Sequence, residues 1–102
     1  MTNIDMLEIL GAVGSMRNED RKLPVKLSFA LNRNQAMLLE TYKAYEATLK
    51  EIPEDDKTSI DELLNTDIGP IPLQKVKFED IENADLTINE VDVIQRLMLI
   101  EE

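Results

Sequence analysis

The side chains able to do chemistry in this chain are carboxylates. Its 102 residues include 21 Asp and Glu, but no His and no Cys. Without His the commonest general base near neutral pH is missing. Without Cys there is no thiol nucleophile, and the usual zinc ligands are gone as well. The spacings GxGxxG, GxSxG and GxxxxGK followed by Ser or Thr do not occur. Gly11, Gly14 and Gly69 are too scattered to cradle a phosphate. What remains is Glu54-Asp55-Asp56 and Asp61-Glu62, which could hold a hard divalent cation or act as an acid/base pair. They do not follow the calcium-loop spacing and lack its central Gly. The expectation is no catalysis, no cofactor and no metal.

The charge distribution bounds the partners. The net charge is −10. Residues 1–50 hold seven Lys/Arg against six Asp/Glu, whereas residues 51–102 hold four against fifteen. A chain with its acid so concentrated is a poor direct ligand for nucleic acid, because phosphate contacts need clustered cations. A basic protein partner is permitted, and solubility alone also accounts for the acid. No run approaches the ~18 apolar residues of a membrane span. The N-terminus lacks the basic region of a signal peptide, so the expectation is an intracellular chain or a particle component.

The element that must position everything else is the stretch from Pro24 to Ile52. Leu27, Leu31, Leu38, Tyr42, Tyr45, Leu49 and Ile52 trace one helical stripe. Such a helix is roughly 40 Å long at about 1.5 Å per residue. Ahead of it, residues 2–18 read as a helix capped by Thr2 with Asp5 as partner. Its apolar face is Ile4, Leu7, Leu10, Val13 and Met16, with Arg17, Arg21 and Lys22 at or beyond its end. Gly11 and Gly14 inside it imply a close backbone approach or a break. A polar connector over 18–22 makes the two helices an antiparallel hairpin.

Pro53 ends the long helix. An acidic connector over 53–69 carries a short helix, with Ser59 as its N-cap. Pro70 and Pro72 force an extended run, and Leu73, Val76 and Phe78 suggest an edge strand over 71–78, with 79–86 the nearest candidate partner. Thr87 and Glu90 form a capping box for a last helix over 88–99, whose face is Ile88, Val91, Ile94 and Leu97 with Met98 beside them. The predicted class is mainly α with an α+β element: a helical hairpin around one long central helix, a short C-terminal strand region and a final helix, in a single domain.

Two features of the long helix bear on function. Asn34 or Gln35 falls on the apolar stripe, where a polar amide bonds to backbone or to a facing polar group, or fixes register. Val25, Phe29, Ala36, Met37, Leu39 and Ala44 exceed what one stripe uses. Either the C-terminal elements cover them or they form a self-association or partner face.

The stretch LPVKLSFALNRN resembles a pattern found in small proteins of phages and prophages of Gram-positive bacteria. The residues that carry it are Leu23, Pro24, Lys26, Phe29, Ala30, Leu31, Arg33, Asn34, Leu38 and Tyr45. The resemblance covers about a third of the chain. It implies a phage origin and a non-enzymatic role, in the host cytoplasm or the virion, and carries over no catalytic residue. Two functions follow as expectations. One is a module that binds a host or phage protein, or a second copy of itself. The alternative is an acidic inhibitor that mimics nucleic acid on a host defence or nucleic-acid-binding protein, in the manner of an anti-CRISPR. The candidate partner-binding residues are Phe29 and Met37, with Glu54, Asp55, Asp56, Asp61 and Glu62.

Overall fold

The computed structural model describes residues 1–18 and 22–98. Arg21 in the connector and Leu99 at the expected end of the last helix lie outside the described residues, as do the side chains of Asn18 and Met98. The described elements are α1 (Asn3–Asn18), α2 (Val25–Glu51), α3 (Lys57–Leu64), α4 (Phe78–Ile81) and α5 (Ile88–Val93), which runs on into one π-helical turn, Ile94–Met98.

Local rules set the helix ends. Thr2 Oγ1 accepts from the Asp5 N–H at 3.3 Å, and Asp5 Oδ2 accepts from the Thr2 N–H at 3.0 Å. Two of the amide groups a helix start leaves open are thereby satisfied. α2 begins after Pro24, whose ring fixes φ and lacks the N–H that would otherwise be open. It ends at Glu51, with Ile52 already extended ahead of Pro53. It runs unbroken through Asn32–Gln35.

The core lies between α1 and the first half of α2, closed by the segments that follow α3. Met6, Ile9, Val13 and Met16 of α1 are buried, with Leu27, Ala30, Leu31 and Leu38 of α2 and Leu73, Val76, Ile81, Val93 and Ile94 from the C-terminal part. The buried stripe of α1 thus runs through Met6 and Ile9, while Leu7 and Leu10 are only half-buried. Tyr42, Tyr45 and Leu49 on α2, and Ile52 just past its end, are half-buried, so its second half carries no fully buried residue. α3 contributes none either. Its end is tied to the start of the chain: Asn3 Nδ2 donates to the Leu63 carbonyl at 2.7 Å, and the Ile68 N–H to the Met1 carbonyl at 2.8 Å.

The expected strand over 71–78 does not form; among the described residues there is no β-strand. Residues 70–77 carry no regular structure beyond a single β-bridge at Val76, and at Gln74 a helix side chain takes the place of a neighbouring strand. Asn34 Oδ1 accepts from the Gln74 N–H at 2.7 Å, and Asn34 Nδ2 donates to the Gln74 carbonyl at 3.1 Å. The Leu73 N–H turns back on the Ile71 carbonyl at 2.7 Å. Prolines at 70 and 72 have no N–H to give a ladder. The burial pattern is also wrong for a strand. Leu73 and Val76 are buried three residues apart, whereas Phe78, two beyond Val76, is 56 % exposed. The expected partner region begins instead with the single turn of α4.

Two smaller expectations also change. Asp56, not Ser59, caps α3: its carboxylate accepts from the Ser59 N–H at 3.1 Å and the Ser59 hydroxyl at 2.7 Å. A carboxylate three residues ahead of the serine is the better acceptor for that amide. In the last helix the Thr87–Glu90 capping box is present and Ile94 of the expected face is buried, but Ile88 is 89 % exposed while Val93, outside that face, is buried. The face is turned because Glu90, rather than Ile88, points into α1.

Gly11 and Gly14 neither break α1 nor admit a neighbouring backbone. A Cβ added at either meets nothing within 4 Å. Replacing a helix-interior glycine under those conditions removes entropy from the unfolded chain only. Gly11→Ala and Gly14→Ala should each raise stability by about 0.5–1 kcal/mol. For a domain of this size that is a rise in Tm of roughly 2–8 °C. Thermal melts followed by circular dichroism check it; a fall at either position would reveal a tighter approach than the helix shows.

Candidate protein-binding surface

α2 has two faces of different character. The core face carries Leu27, Ala30, Leu31, Asn34 and Leu38. Asn34 on that face is fully buried, and both ends of its amide are bonded to the Gln74 backbone. A buried amide is costly unless its donor and acceptor are both satisfied. Here the two bonds lock the extended segment onto the helix at one register. Arg33 Nη1 to Gln74 Oε1 (3.4 Å) and Lys26 to Asp80 (4.0 Å) line up beside that clasp. The chain from Gln74 to Asp80 therefore runs back along α2 toward its N-terminus.

The opposite face is open. Val25, Phe29, Asn32, Ala36, Leu39 and Lys43 are all exposed, with Val25 at 83 %, Phe29 at 54 % and Leu39 at 43 %. At about 100° per residue this stripe lies roughly 150° around the helix from the core stripe. Phe78, at the start of α4, is a further exposed aromatic, and its place between Gln74 and Asp80 sets it beside the first turns of α2. Of the surplus, Met37 packs against the core while this part stays in water. Isolated exposed apolar residues are ordinary, whereas an ordered row of them along one helix makes that face a candidate surface.

The candidate residues read from the sequence fall in three places. Phe29 is on the open stripe. Met37 is half-buried and packs against the core, so it does not join Phe29. Glu54, Asp55, Asp56, Asp61 and Glu62 lie at the α2–α3 corner, roughly 35 Å from Phe29 along the helix at about 1.5 Å per residue. At that corner Leu49, Ile52 and Ile60 line a shallow notch of about 470 Å³ with Lys50 and Glu54 on its rim. Asp56 is engaged in its cap, and the Ser59 hydrogen bonds hold its carboxyl below the ordinary value of 3.8. Among the described residues no three carboxylates converge as a metal site would need. No described helix is long and apolar enough to cross a membrane.

Several acids, Asp56 among them, are engaged at helix ends or in ion pairs. Asp5, Asp56, Asp80 and Glu90 each accept from backbone N–H groups at the N-termini of α1, α3, α4 and α5. Asp67 accepts from the Gly69 N–H and faces the chain's N-terminus, and both interactions lower its pKa. Glu8 and Asp92 clasp Arg96. On the outer half of α2, Glu46 pairs with Lys50 at 3.5 Å, and its hydrogen bond to Tyr42 raises the phenol's pKa.

No family model, curated protein or solved structure matches this chain.

Two features were missed in the sequence. One is the open groove of about 450 Å³ between α1 and α5, lined in part by Gly11, Ala12, Ser15 and Glu90. Glu90 is 2 % exposed, and its Oε2 accepts from the Ser15 hydroxyl at 2.7 Å across that groove. The capping box announced Glu90, but nothing in its spacing announced Ser15, 75 residues away. The other is Phe78, which a strand reading hides.

Proposed function

We propose that this chain is a non-enzymatic protein–protein interaction module of phage or prophage origin. It acts by offering a preformed apolar helix face to a protein, in virion assembly or on a host protein in the host cytoplasm. The supporting observation is the open stripe of α2, held in place from behind by the core and by the Asn34 clasp. A rigid face loses little conformational entropy on binding, which favours affinity from a small contact. The phage origin rests on the resemblance carried by residues between Leu23 and Tyr45 alone. The acidic-inhibitor alternative calls for carboxylates on one continuous face, whereas Asp5, Asp56, Asp80 and Glu90 are committed to helix ends.

Capture from host lysate and from virion fractions tests the reading with the full chain immobilised. Wild type and a Glu54→Lys/Asp55→Lys variant should retain the same protein, and Phe29→Glu/Leu39→Glu should lose it by tenfold or more, as expected when a charge is buried in a contact. Loss in the lysine variant with retention in the glutamate variant would replace this reading with the acidic one.

A further inference from the structure

We propose that the open face of α2 pairs with the same face of a second copy, antiparallel, about a two-fold axis level with residue 34. This deepens the interaction-module reading and rests on it. The open residues Val25, Phe29, Asn32, Ala36, Leu39 and Lys43 are spaced by four, three, four, three and four. That is the heptad spacing of a helix seam, separate from the core stripe of the same helix. The seam stops where it meets charge: its next positions are Glu46 and Lys50.

The row is self-complementary in one direction. Turned antiparallel about residue 34, Phe29 meets the partner's Leu39, Asn32 meets the partner's Ala36, and Val25 packs on the stem of the partner's Lys43. Each layer sets a large group against a smaller or flexible one, and each occurs twice because the contact is isologous. On the flank, Lys26 comes beside the partner's Glu40. Lys26 is 75 % exposed, with Asp80 at 4.0 Å as its only near carboxylate among the described ion pairs, so it can turn to a second acid. Within the paired stretch the first half of α2 carries Lys26 and Arg33 and no acid, while its second half carries the one acid Glu40 with Lys43. The opposite charges that meet in an antiparallel pair are therefore Lys26 and Glu40, twice over. A parallel pair would stack Lys43 on the partner's Lys43. The unfavourable contact is Arg33 beside the partner's Arg33, eased by the bond that draws Arg33 toward Gln74.

The contact is narrow. Eighteen residue steps give about 27 Å of seam at ~1.5 Å per residue, and one helix face of that length falls short of the ~800 Å² per partner of a standard interface. Two chains of charge −10 also repel at long range, a term screened at ~0.15 M salt. The dimer is accordingly weak and should form at about 100 µM and above.

Equilibrium sedimentation of the full chain from 10 µM to 1 mM at ~0.15 M salt reads it out. Wild type should pass from one to two chain masses. Phe29→Glu should stay at one mass with an unchanged melting temperature, since Phe29 is exposed. Glu40→Lys should weaken the dimer by about threefold to tenfold, and Lys26→Glu/Glu40→Lys should restore it. The chain has no Cys, which allows a direct test of direction. A Phe29→Cys chain mixed with a Leu39→Cys chain should give the mixed disulfide faster than either like pair. A single mass at 1 mM, or like-pair disulfides dominating, overturns this inference. Either result leaves the interaction-module reading standing if Phe29→Glu/Leu39→Glu still loses the captured protein.

Discussion

Asn34→Ala should lower stability by about 2–3 kcal/mol, because it strips the Gln74 N–H and carbonyl of their partners and empties a buried site. For a chain of this length that is a fall in Tm of roughly 10–20 °C. The cause can be separated from cavity formation. Asn34→Asp keeps an acceptor for the Gln74 N–H but, when ionised, has no donor for the Gln74 carbonyl and places a charge where Asn34 is fully buried. Protonated, the same side chain can both donate and accept. Its folded pKa must therefore be raised by burial and by the carbonyl. The sign follows from linkage: the folded state binds the proton more tightly than the unfolded one, so the variant is relatively more stable at low pH. It loses that stability as pH rises through the carboxyl's raised folded value. Urea melts of Asn34→Asp at pH 4 and pH 7, referenced to wild type, should show the smaller deficit at pH 4. A deficit equal at both, or larger at pH 4, would remove the clasp from the account.

The second large effect is at Glu90. Glu90→Ala should cost about 2–3 kcal/mol, the range for losing buried hydrogen bonds to a charged group. Its carboxylate joins two elements far apart in sequence, accepting from the Thr87 N–H at 2.8 Å and the Ser15 hydroxyl at 2.7 Å. Glu90→Gln keeps the oxygen that caps Thr87 and can donate its amide to the Ser15 oxygen, so it should cost about 1 kcal/mol or less. A double-mutant cycle with Ser15→Ala measures the cross-link alone. A coupling of about 1 kcal/mol or more is expected for residues in contact; a coupling near zero would assign the Glu90→Ala loss to the helix cap only. Hydrogen exchange should show the same effect locally, with amides of α5 opening while α2 stays protected.

The sequence was most legible where chemistry is local. Thr2 with Asp5, Pro24 and Thr87 with Glu90 announce helix starts because a cap is settled within four residues. The long apolar repeat of α2 made its length readable, and the misplaced amide at 34 could be read as bonded to something. What it bonds to could not be read. Gln74 lies 40 residues on, and only the fold brings its backbone to the helix. The strand was misread for the same reason: at Gln74 a side chain supplies both backbone hydrogen bonds that a second strand would have made. The candidate surface was legible as a surplus, since α2 carries more apolar residues than one stripe uses. Which of them stay open was not, because Met37 and Phe29 look alike in sequence and differ only in what packs beside them. The acids misled in another way. Their concentration after residue 50 suggests one charged face, whereas several of them are placed singly at helix ends.

The central claim is that α2 commits one face to the core and presents the other. A soluble paramagnetic relaxation agent, read on side-chain resonances of the full chain at about 10 µM, tests this most directly. That concentration lies below the range expected for a narrow, weak contact. Val25, Phe29 and Leu39 should broaden while Leu27, Leu31 and Leu38 stay sharp, and raising the concentration to about 1 mM, or adding the captured protein, should shield the first group. Equal shielding of both groups in the dilute chain, or shielding that appears instead at residues 54–62, would contradict it.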